Sequence, residues 1–296
     1  MKFSFRRLLV FILITAPMMV SGYATLVASS GPSMTTLAKD CSCHSEDPFE
    51  KPRRYHYVIG GSYCIDSCKY RKPIPLAIDA TSITLANINS HREFYSAKLP
   101  LDQIESVSLV YEEFRPGIHH TAFLFRFKKS FMMRNQRPSQ NKDLLNSNEL
   151  IVSPEGVPPK DYKYSVVDGA IGNYVSLIRY RSAKDFFSEA EEKGHPLTLF
   201  QLDDKVFDAK KLLMASLEMS DQKSFQSVYQ LIFNNCATMV TDLLLMSSDQ
   251  LISLGWDSSD VVNWTRGLPL KGPIGTLAHL QAYKFIKLDG VIKPTR

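Results

Sequence analysis

The sequence predicts an α+β protein in which an antiparallel sheet packs on helices. Strand patterns come first in the chain, at residues 74–78, 82–86, 104–111 and 119–127. Helical patterns come later, at residues 182–193, 207–219 and 237–245. The strands are alternating or β-branched runs bounded by turn residues, and the helices carry apolar residues at helical spacing. Strands followed by helices are the order typical of α+β folds.

A long polar insertion separates the two halves of this pattern. Residues 134–160 are rich in Asn, Ser, Pro, Lys and Gln. A connection of this length without a hydrophobic period is typical of lids and of disordered loops. We therefore expect a flexible loop at this point of the chain.

The N-terminus has the order of a secretory signal. Lys2, Arg6 and Arg7 precede an apolar run at residues 8–20, and mostly small residues follow. An apolar run of about 13 residues is short for a membrane span, which needs roughly 20. We expect residues 1–29 to be a signal peptide that exports the chain to the periplasm or another extracytoplasmic space. An uncleaved anchor, which would leave the protein associated with the membrane, is the alternative.

The net charge argues against nucleic acid as a partner. The formal charge is +5, and residues 1–30 contribute three basic and no acidic residues, so the remainder carries +2. A nearly neutral chain has no electrostatic basis for binding a polyanion. No residue pattern indicates a cofactor.

Four of the five cysteines lie close together. Cys41, Cys43, Cys64 and Cys68 fall within 28 residues, as C-x-C, twenty residues and C-x-x-x-C. In an exported protein this cluster predicts two disulfides that staple a small N-terminal segment, placed at residues 30–94. Linking the first two cysteines to the last two avoids a strained ring, although the connectivity stays open. A metal site with His44 as a further ligand is the alternative.

The fifth cysteine, Cys236, follows Asn235 at the start of a predicted helix. Asn is a preferred N-cap, which would place Cys236 in the first helical turn. Backbone N–H groups and the helix dipole there stabilise a thiolate and could hold an oxyanion. The sequence therefore offers Cys236 as a nucleophile, with an inert core thiol as the alternative.

A thiol nucleophile needs a base. Among seven histidines, His119 and His120 lie on a convincing strand. His120 shares a face with the small Ala122, which leaves room beside its ring, and it is the preferred base. A structural strand histidine is the alternative for both. Asp168, Glu218 and Asn235 are candidates for orienting the imidazole.

These residues also carry a resemblance to a known family. The segments, in order, are HTAFLFRF at 120–127, YSVVDG at 164–169, Leu217-Glu218, the NNC-containing stretch 229–236, and WTRGLP at 264–269. Together they resemble the DUF4105 group, the periplasmic domain of the Lnb type of lipoprotein N-acyltransferase. The resemblance spans roughly residues 95–285, and we place a catalytic domain at 95–296.

The resemblance implies a permuted papain or NlpC/P60-like core in which the histidine strand precedes the cysteine helix. It implies Cys236 as nucleophile, His120 or His119 as base, and acyl transfer from a lipid or lipoprotein through a thioester. Tyr164, Asn235 and Arg266 match family positions and would support the site. Packing, a helix cap and a surface charge are their alternatives.

The chain departs from the family in one respect. Acyltransferase members carry membrane segments after the soluble domain, whereas residues 274–286 contain His279, Gln281 and Lys284 and are not expected to span a membrane. A hydrolase or another acyl acceptor is therefore kept beside the acyltransferase. A peptidoglycan amidase or peptidase on the same fold and a catalytically silent envelope-binding protein are the further alternatives.

Overall fold

The structure, a computed structural model, describes most of the chain after residue 40. The described residues are 41, 43, 47–57, 61–115, 118–137, 144–165, 168–169, 172–230, 234–249, 251 and 285–293. The predicted signal peptide, His44 and Arg266 lie outside them, as does most of the apolar stretch at residues 274–286.

Twelve strands and three α-helices form the described part of the chain. The strands are β1 Arg54–Tyr57, β2 Gly61–Cys64, β3 Ile74–Ile78, β4 Ser82–Ser90, β5 Glu93–Pro100, β6 Ile104–Arg115, β7 Ile118–Asn135, β8 Leu144–Val157, β9 Tyr174–Ser182, β10 Leu197–Leu202, β11 Val228–Tyr229 and β12 Ile286–Ile292. The helices are α1 Ala183–Glu192, α2 Ala209–Lys223 and α3 Cys236–Met246.

Five of the strands close into a barrel. The order is β4-β5-β7-β8-β9, and β9 returns to β4 through a parallel pairing of Ile88 with Tyr180, whereas the other four pairings are antiparallel. The predicted α+β class, with a papain or NlpC/P60-like core of a sheet packed on helices, is therefore wrong. The protein is mostly β, because β8 and β9 precede the first helix and β10 and β11 lie between the helices, and the sequence pattern predicts none of these four strands.

The predicted flexible loop at residues 134–160 is also wrong. Its second half is β8, which pairs with β7 on one side and β9 on the other. Leu150, Ile151 and Val152 are all fully buried, because this strand has packed structure on both of its faces. Alternation between apolar and polar residues is lost under those conditions. Pro154 and Gly156 weaken the strand signal further, because proline and glycine are unfavourable inside strands.

The barrel is extended on both sides. Next to β7 the sheet continues through β6, β10 and β12, and β11 pairs with β9. Rings and aliphatic chains from the barrel form the main core, for example Phe123, Phe125 and Tyr180, together with Leu213 of α2 and Val240 of α3. The two helices therefore pack on the same core, and this contact fixes the start of α3.

The three predicted helices are all present, and their bounds lie close to the predicted ones. In the described part of the chain, every helix is too short or too polar for a membrane span. The N-cap residues are Ser182 for α1, Asp208 for α2 and Asn235 for α3.

The four clustered cysteines form two disulfides, as predicted, between Cys41 and Cys64 and between Cys43 and Cys68. They close a small segment, residues 41–72, that carries the hairpin of β1 and β2. The predicted domain boundary after residue 94 falls inside β5, a strand of the barrel.

Arg71 attaches this stapled segment to the barrel. Its guanidinium lies 2.6 Å from the Asp47 carboxylate and 4.2 Å from the centre of the Phe94 ring on β5. The arginine is buried, so its charge depends on these partners for stabilisation.

Candidate active site

The site is built around the first residue of α3. Asn235 is the N-cap, as predicted, and its side chain accepts a hydrogen bond from the Thr238 N–H at 3.0 Å. The Thr238 hydroxyl in turn accepts from the Asn235 N–H at 2.9 Å, which completes a capping box. Cys236 therefore lies in the first helical turn, where the helix dipole favours a negative charge. Its side chain is buried, with 4% of the residue exposed.

A short loop places Tyr229 beside this cysteine. Gln230 and Asn234 form a β-bridge, and the Asn234 amide donates to the Val228 carbonyl at 2.7 Å. Tyr229 and Cys236, seven positions apart in the sequence, are therefore held close together. The Cys236 N–H donates to the Tyr229 hydroxyl oxygen at 3.3 Å.

His120, near the start of β7, reaches the same thiol. Its imidazole and the Cys236 side chain are hydrogen-bonded to each other. Nε2 of the ring lies 2.8 Å from the Ser153 hydroxyl of β8. An imidazole has a second nitrogen, Nδ1, which this contact leaves available to the sulfur. Ser153 therefore fixes the plane of the ring that faces the thiol.

The two groups shift each other's ionisation. Burial alone would raise the pKa of the Cys236 thiol, but the positive charge of His120, its hydrogen bond and the neighbouring Thr121 lower it to about 7. Burial likewise would lower the pKa of His120, but the Cys236 charge and hydrogen bond raise it to about 9, assisted by Glu112 and Glu155. A thiolate and an imidazolium therefore coexist between these two values.

Two carboxylates lie around the imidazole. Glu112 is the residue opposite His120 in the pairing of β6 with β7, and its carboxylate is 2.7 Å from Nδ1 of His195. Glu155 of β8 is held by the Arg179 guanidinium at 3.2 Å. Burial tends to raise the pKa of Glu155, but Arg179 and Arg181 lower it, so the group is anionic near neutral pH. Both carboxylates favour the protonated form of His120.

His119 has a different environment. Its ring lies 4.4 Å from the Tyr111 ring, and its Nε2 is 3.8 Å from the Glu113 carboxylate. Burial lowers the pKa of His119, with Glu113 opposing the change, so the ring is neutral near pH 7. Of the two histidines offered by the sequence, the structure brings His120 to the thiol.

The remaining residues proposed from the sequence are not all at the thiol. Tyr164 lies at its margin, half-exposed, with its ring 4.9 Å from that of Tyr174. Burial and then the Cys236 charge raise the pKa of Tyr164 to about 12. Asp168 instead accepts from the Asn173 amide at 3.0 Å, and Glu218 accepts from the Gln222 amide on α2. Neither carboxylate orients the imidazole.

Ser153, Thr121 and Tyr229 were not identified from the sequence as members of the site. Ser153 lies on β8, which the sequence pattern assigned to a loop. Thr121 follows His120 and Tyr229 precedes the NNC sequence, but no pattern indicates a role for either residue. Only the register of β8 against β7, in which Val152 pairs with Phe123, could have placed Ser153 near His120.

The arrangement is suited to nucleophilic chemistry on a carbonyl or a similar electrophile. It contains an ionisable sulfur, a protonated imidazole and hydroxyl groups within one buried volume. Within the described residues, no group of His, Cys, Asp and Glu is arranged to hold a metal ion.

A comparison with known families identifies the domain that carries these residues. The family described as the Lnb N-terminal periplasmic domain matches residues 91–268, which is more than half of the chain and includes both Cys236 and His120. The chain belongs to this family. Searches among curated proteins and among solved structures found no match.

Membership in this family bears on the location of the protein. The family is a periplasmic domain, and the two disulfides are bonds that persist in oxidising compartments outside the cytoplasm. Both observations fit an extracytoplasmic protein of the cell envelope.

Proposed function

We propose that the chain is an exported cysteine-dependent acyltransferase or hydrolase that acts on acyl or amide bonds of lipids or lipoproteins in the bacterial envelope. Cys236 is the nucleophile and His120 the general acid and base. The observation that carries the proposal is the hydrogen bond between this thiol and this imidazole at the start of a capped helix. The periplasmic family supports the envelope as the place of action.

The first half of the reaction forms a thioester. The Cys236 thiolate attacks the acyl carbonyl carbon, and the π electrons of the C=O bond move to oxygen. When the intermediate collapses, the bond from carbon to the leaving oxygen or nitrogen breaks. The His120 imidazolium gives its proton to that leaving atom and becomes neutral.

The second half transfers the acyl group. Neutral His120 takes a proton from the acceptor while the acceptor attacks the thioester carbon, and the Cys236 thiolate leaves. An amine acceptor gives an N-acylated product, and water gives a free fatty acid. Ser153 holds the imidazole in one orientation through both halves, since its hydroxyl contacts Nε2 of the ring.

Acyl transfer from a tagged lipid tests the proposal. The chain without residues 1–29, with its disulfides oxidised, is incubated with a diacylglyceryl lipopeptide whose acyl chains carry an alkyne. We expect a tag on the intact protein that hydroxylamine removes, because thioesters are labile to that reagent. Cys236→Ser should abolish this labile tag, whereas His119→Asn, the matched control on the neighbouring histidine, should keep it.

Two outcomes would contradict the proposal. A labile tag that persists in Cys236→Ser would exclude this sulfur as the acyl carrier. Cleavage of muropeptides by the wild-type protein, in a parallel digestion with no tag from the lipopeptide, would instead favour a peptidoglycan amidase.

A further inference from the structure

The Thr121 hydroxyl is buried at the thiol without a partner of its own. Thr121 is 3% exposed, and its Oγ1 has no hydrogen-bond partner within the part of the chain that the structure describes. The backbone and the side chain of Thr121 both contact the Cys236 thiol. Leaving a buried hydroxyl without a hydrogen bond is unfavourable, so such a group in a folded protein calls for an explanation, and a catalytic role is one.

A second hydroxyl, that of Tyr229, meets the same sulfur. The ring is 3% exposed, and its hydroxyl is hydrogen-bonded to the Cys236 side chain as well as to its N–H. Burial, then the negative charge of Cys236, raises the pKa of Tyr229, so the hydroxyl keeps its proton and can donate it. Gly156 of β8 makes room for this ring, since a Cβ there would lie 2.7 Å from the Tyr229 Cδ1.

Backbone N–H groups at the start of α3 are partly committed elsewhere. The N–H of Cys236 donates to the Tyr229 oxygen, and the N–H of Thr238 donates to the Asn235 side chain. These are two of the donors with which a helix start would otherwise hold an oxyanion. Beside the His120 ring and the Thr121 N–H, the Thr121 and Tyr229 hydroxyls are donors that lie at the sulfur.

We infer that the Thr121 and Tyr229 hydroxyls form the oxyanion-binding site of this centre and stabilise the tetrahedral intermediate formed on Cys236. This inference rests on the proposed acyl transfer and adds two catalytic residues to it.

The movement of charge explains why these donors lie at the sulfur. In the resting site the negative charge is on sulfur, and both hydroxyls lie against it. Attack forms the S–C bond, removes the charge from sulfur and places it on the carbonyl oxygen one carbon atom away. Hydroxyls that turn from the sulfur to that oxygen stay beside the negative charge. They therefore stabilise the charged intermediate more than they stabilise the neutral bound substrate.

A comparison of two reactions of the same thiol tests the inference. Acylation by a p-nitrophenyl acyl ester forms an oxyanion, whereas alkylation by iodoacetamide displaces iodide at a saturated carbon and forms none. Both second-order rates are measured at a pH on the alkylation plateau of each variant, so that the thiolate fraction is the same. Thr121→Val and Tyr229→Phe remove each hydroxyl with little change in shape.

We expect each substitution to slow acylation by about 10²- to 10³-fold, the usual loss for one oxyanion donor. Alkylation should stay within about threefold of the wild-type rate. Thr121→Ser keeps a hydroxyl and should retain most of the acylation rate, and thermal denaturation of each variant shows that it is folded.

Other outcomes would overturn the inference. Equal losses of acylation and alkylation would show that the hydroxyls serve only the thiolate or the packing, and unchanged acylation would show that they do not act. A wild-type thiol that alkylates but is never acylated would instead remove the proposed function itself.

Discussion

The stapled segment at residues 41–72 and the thiol centre formed by Cys236, His120, Ser153, Thr121 and Tyr229 use cysteine in opposite ways. In the first, four sulfurs are joined pairwise and have no acid–base chemistry. In the second, one sulfur is free, buried and hydrogen-bonded to an imidazole. An oxidising compartment converts neighbouring thiols into disulfides, so a reactive thiol survives there when no other cysteine can reach it.

The difference shows how this chain separates stability from reactivity. In its described residues the stapled segment has one two-stranded hairpin as its regular structure, and covalent links replace part of the core that so small a segment lacks. The thiol centre is instead held by strands β7 and β8 and helix α3, which belong to the main core. Each region should therefore fail in its own way when it is altered.

The largest effect on alkylation of Cys236 should come from the imidazole. In His120→Asn the charge that lowers the pKa of Cys236 is gone, and burial then raises that pKa above its ordinary value. Because the thiolate is the reactive form, we expect alkylation by iodoacetamide at pH 7.5 to slow by roughly tenfold to a hundredfold. His119→Asn is the matched control, with a change below about twofold. Equal effects of the two variants would contradict the assignment of His120.

Loss of a disulfide should lower the stability of the protein and leave the reactivity of Cys236 unchanged. Cys43→Ala with Cys68→Ala opens a loop of sequence separation 25, and we expect a loss of about 2–4 kcal/mol in the free energy of unfolding, measured with urea. The rate of Cys236 alkylation at its plateau should not change. If the disulfide variant changes the rate of Cys236 alkylation by more than His119→Asn does, the stapled segment and the thiol centre are coupled.

The smallest effect should come from Ser153→Ala. The imidazole keeps its contact with the thiol but loses the hydroxyl that holds its other nitrogen. We expect acylation to slow by about threefold to tenfold, with Ser153→Thr recovering part of the rate because a hydroxyl returns. If the pKa of Cys236 in Ser153→Ala stays at the wild-type value while acylation slows, Ser153 positions the imidazole and does not act through its electrostatics. A rate equal to the wild type would exclude both.

The thiol centre was more visible in the sequence than the fold. The odd cysteine count isolated Cys236, Asn235 before an apolar helical pattern located the helix start, and alternation showed the strand of His120. These are local signals. Short-range geometry likewise favours pairing the first two clustered cysteines with the last two, because the alternative pairing would need a strained ring.

The barrel was not visible because its closure depends on distant pairings. β4 meets β9 about ninety residues later, and only one short parallel stretch, around Ile88 and Tyr180, makes the ring. The sequence pattern predicts a loop at β8 because burial on both faces removes alternation, and it therefore gives no indication of Ser153. Family resemblance identified the domain correctly but not its fold.

The pH dependence of Cys236 alkylation in the wild-type protein tests the central claim most directly. Because the pKa of this thiol is lowered, the thiolate is lost as pH falls and gained as pH rises through about 7. The rate with iodoacetamide, followed by mass spectrometry of the oxidised protein, should therefore rise to a plateau with a midpoint near 7. A midpoint at or above 9 would show an ordinary buried thiol and would contradict the account.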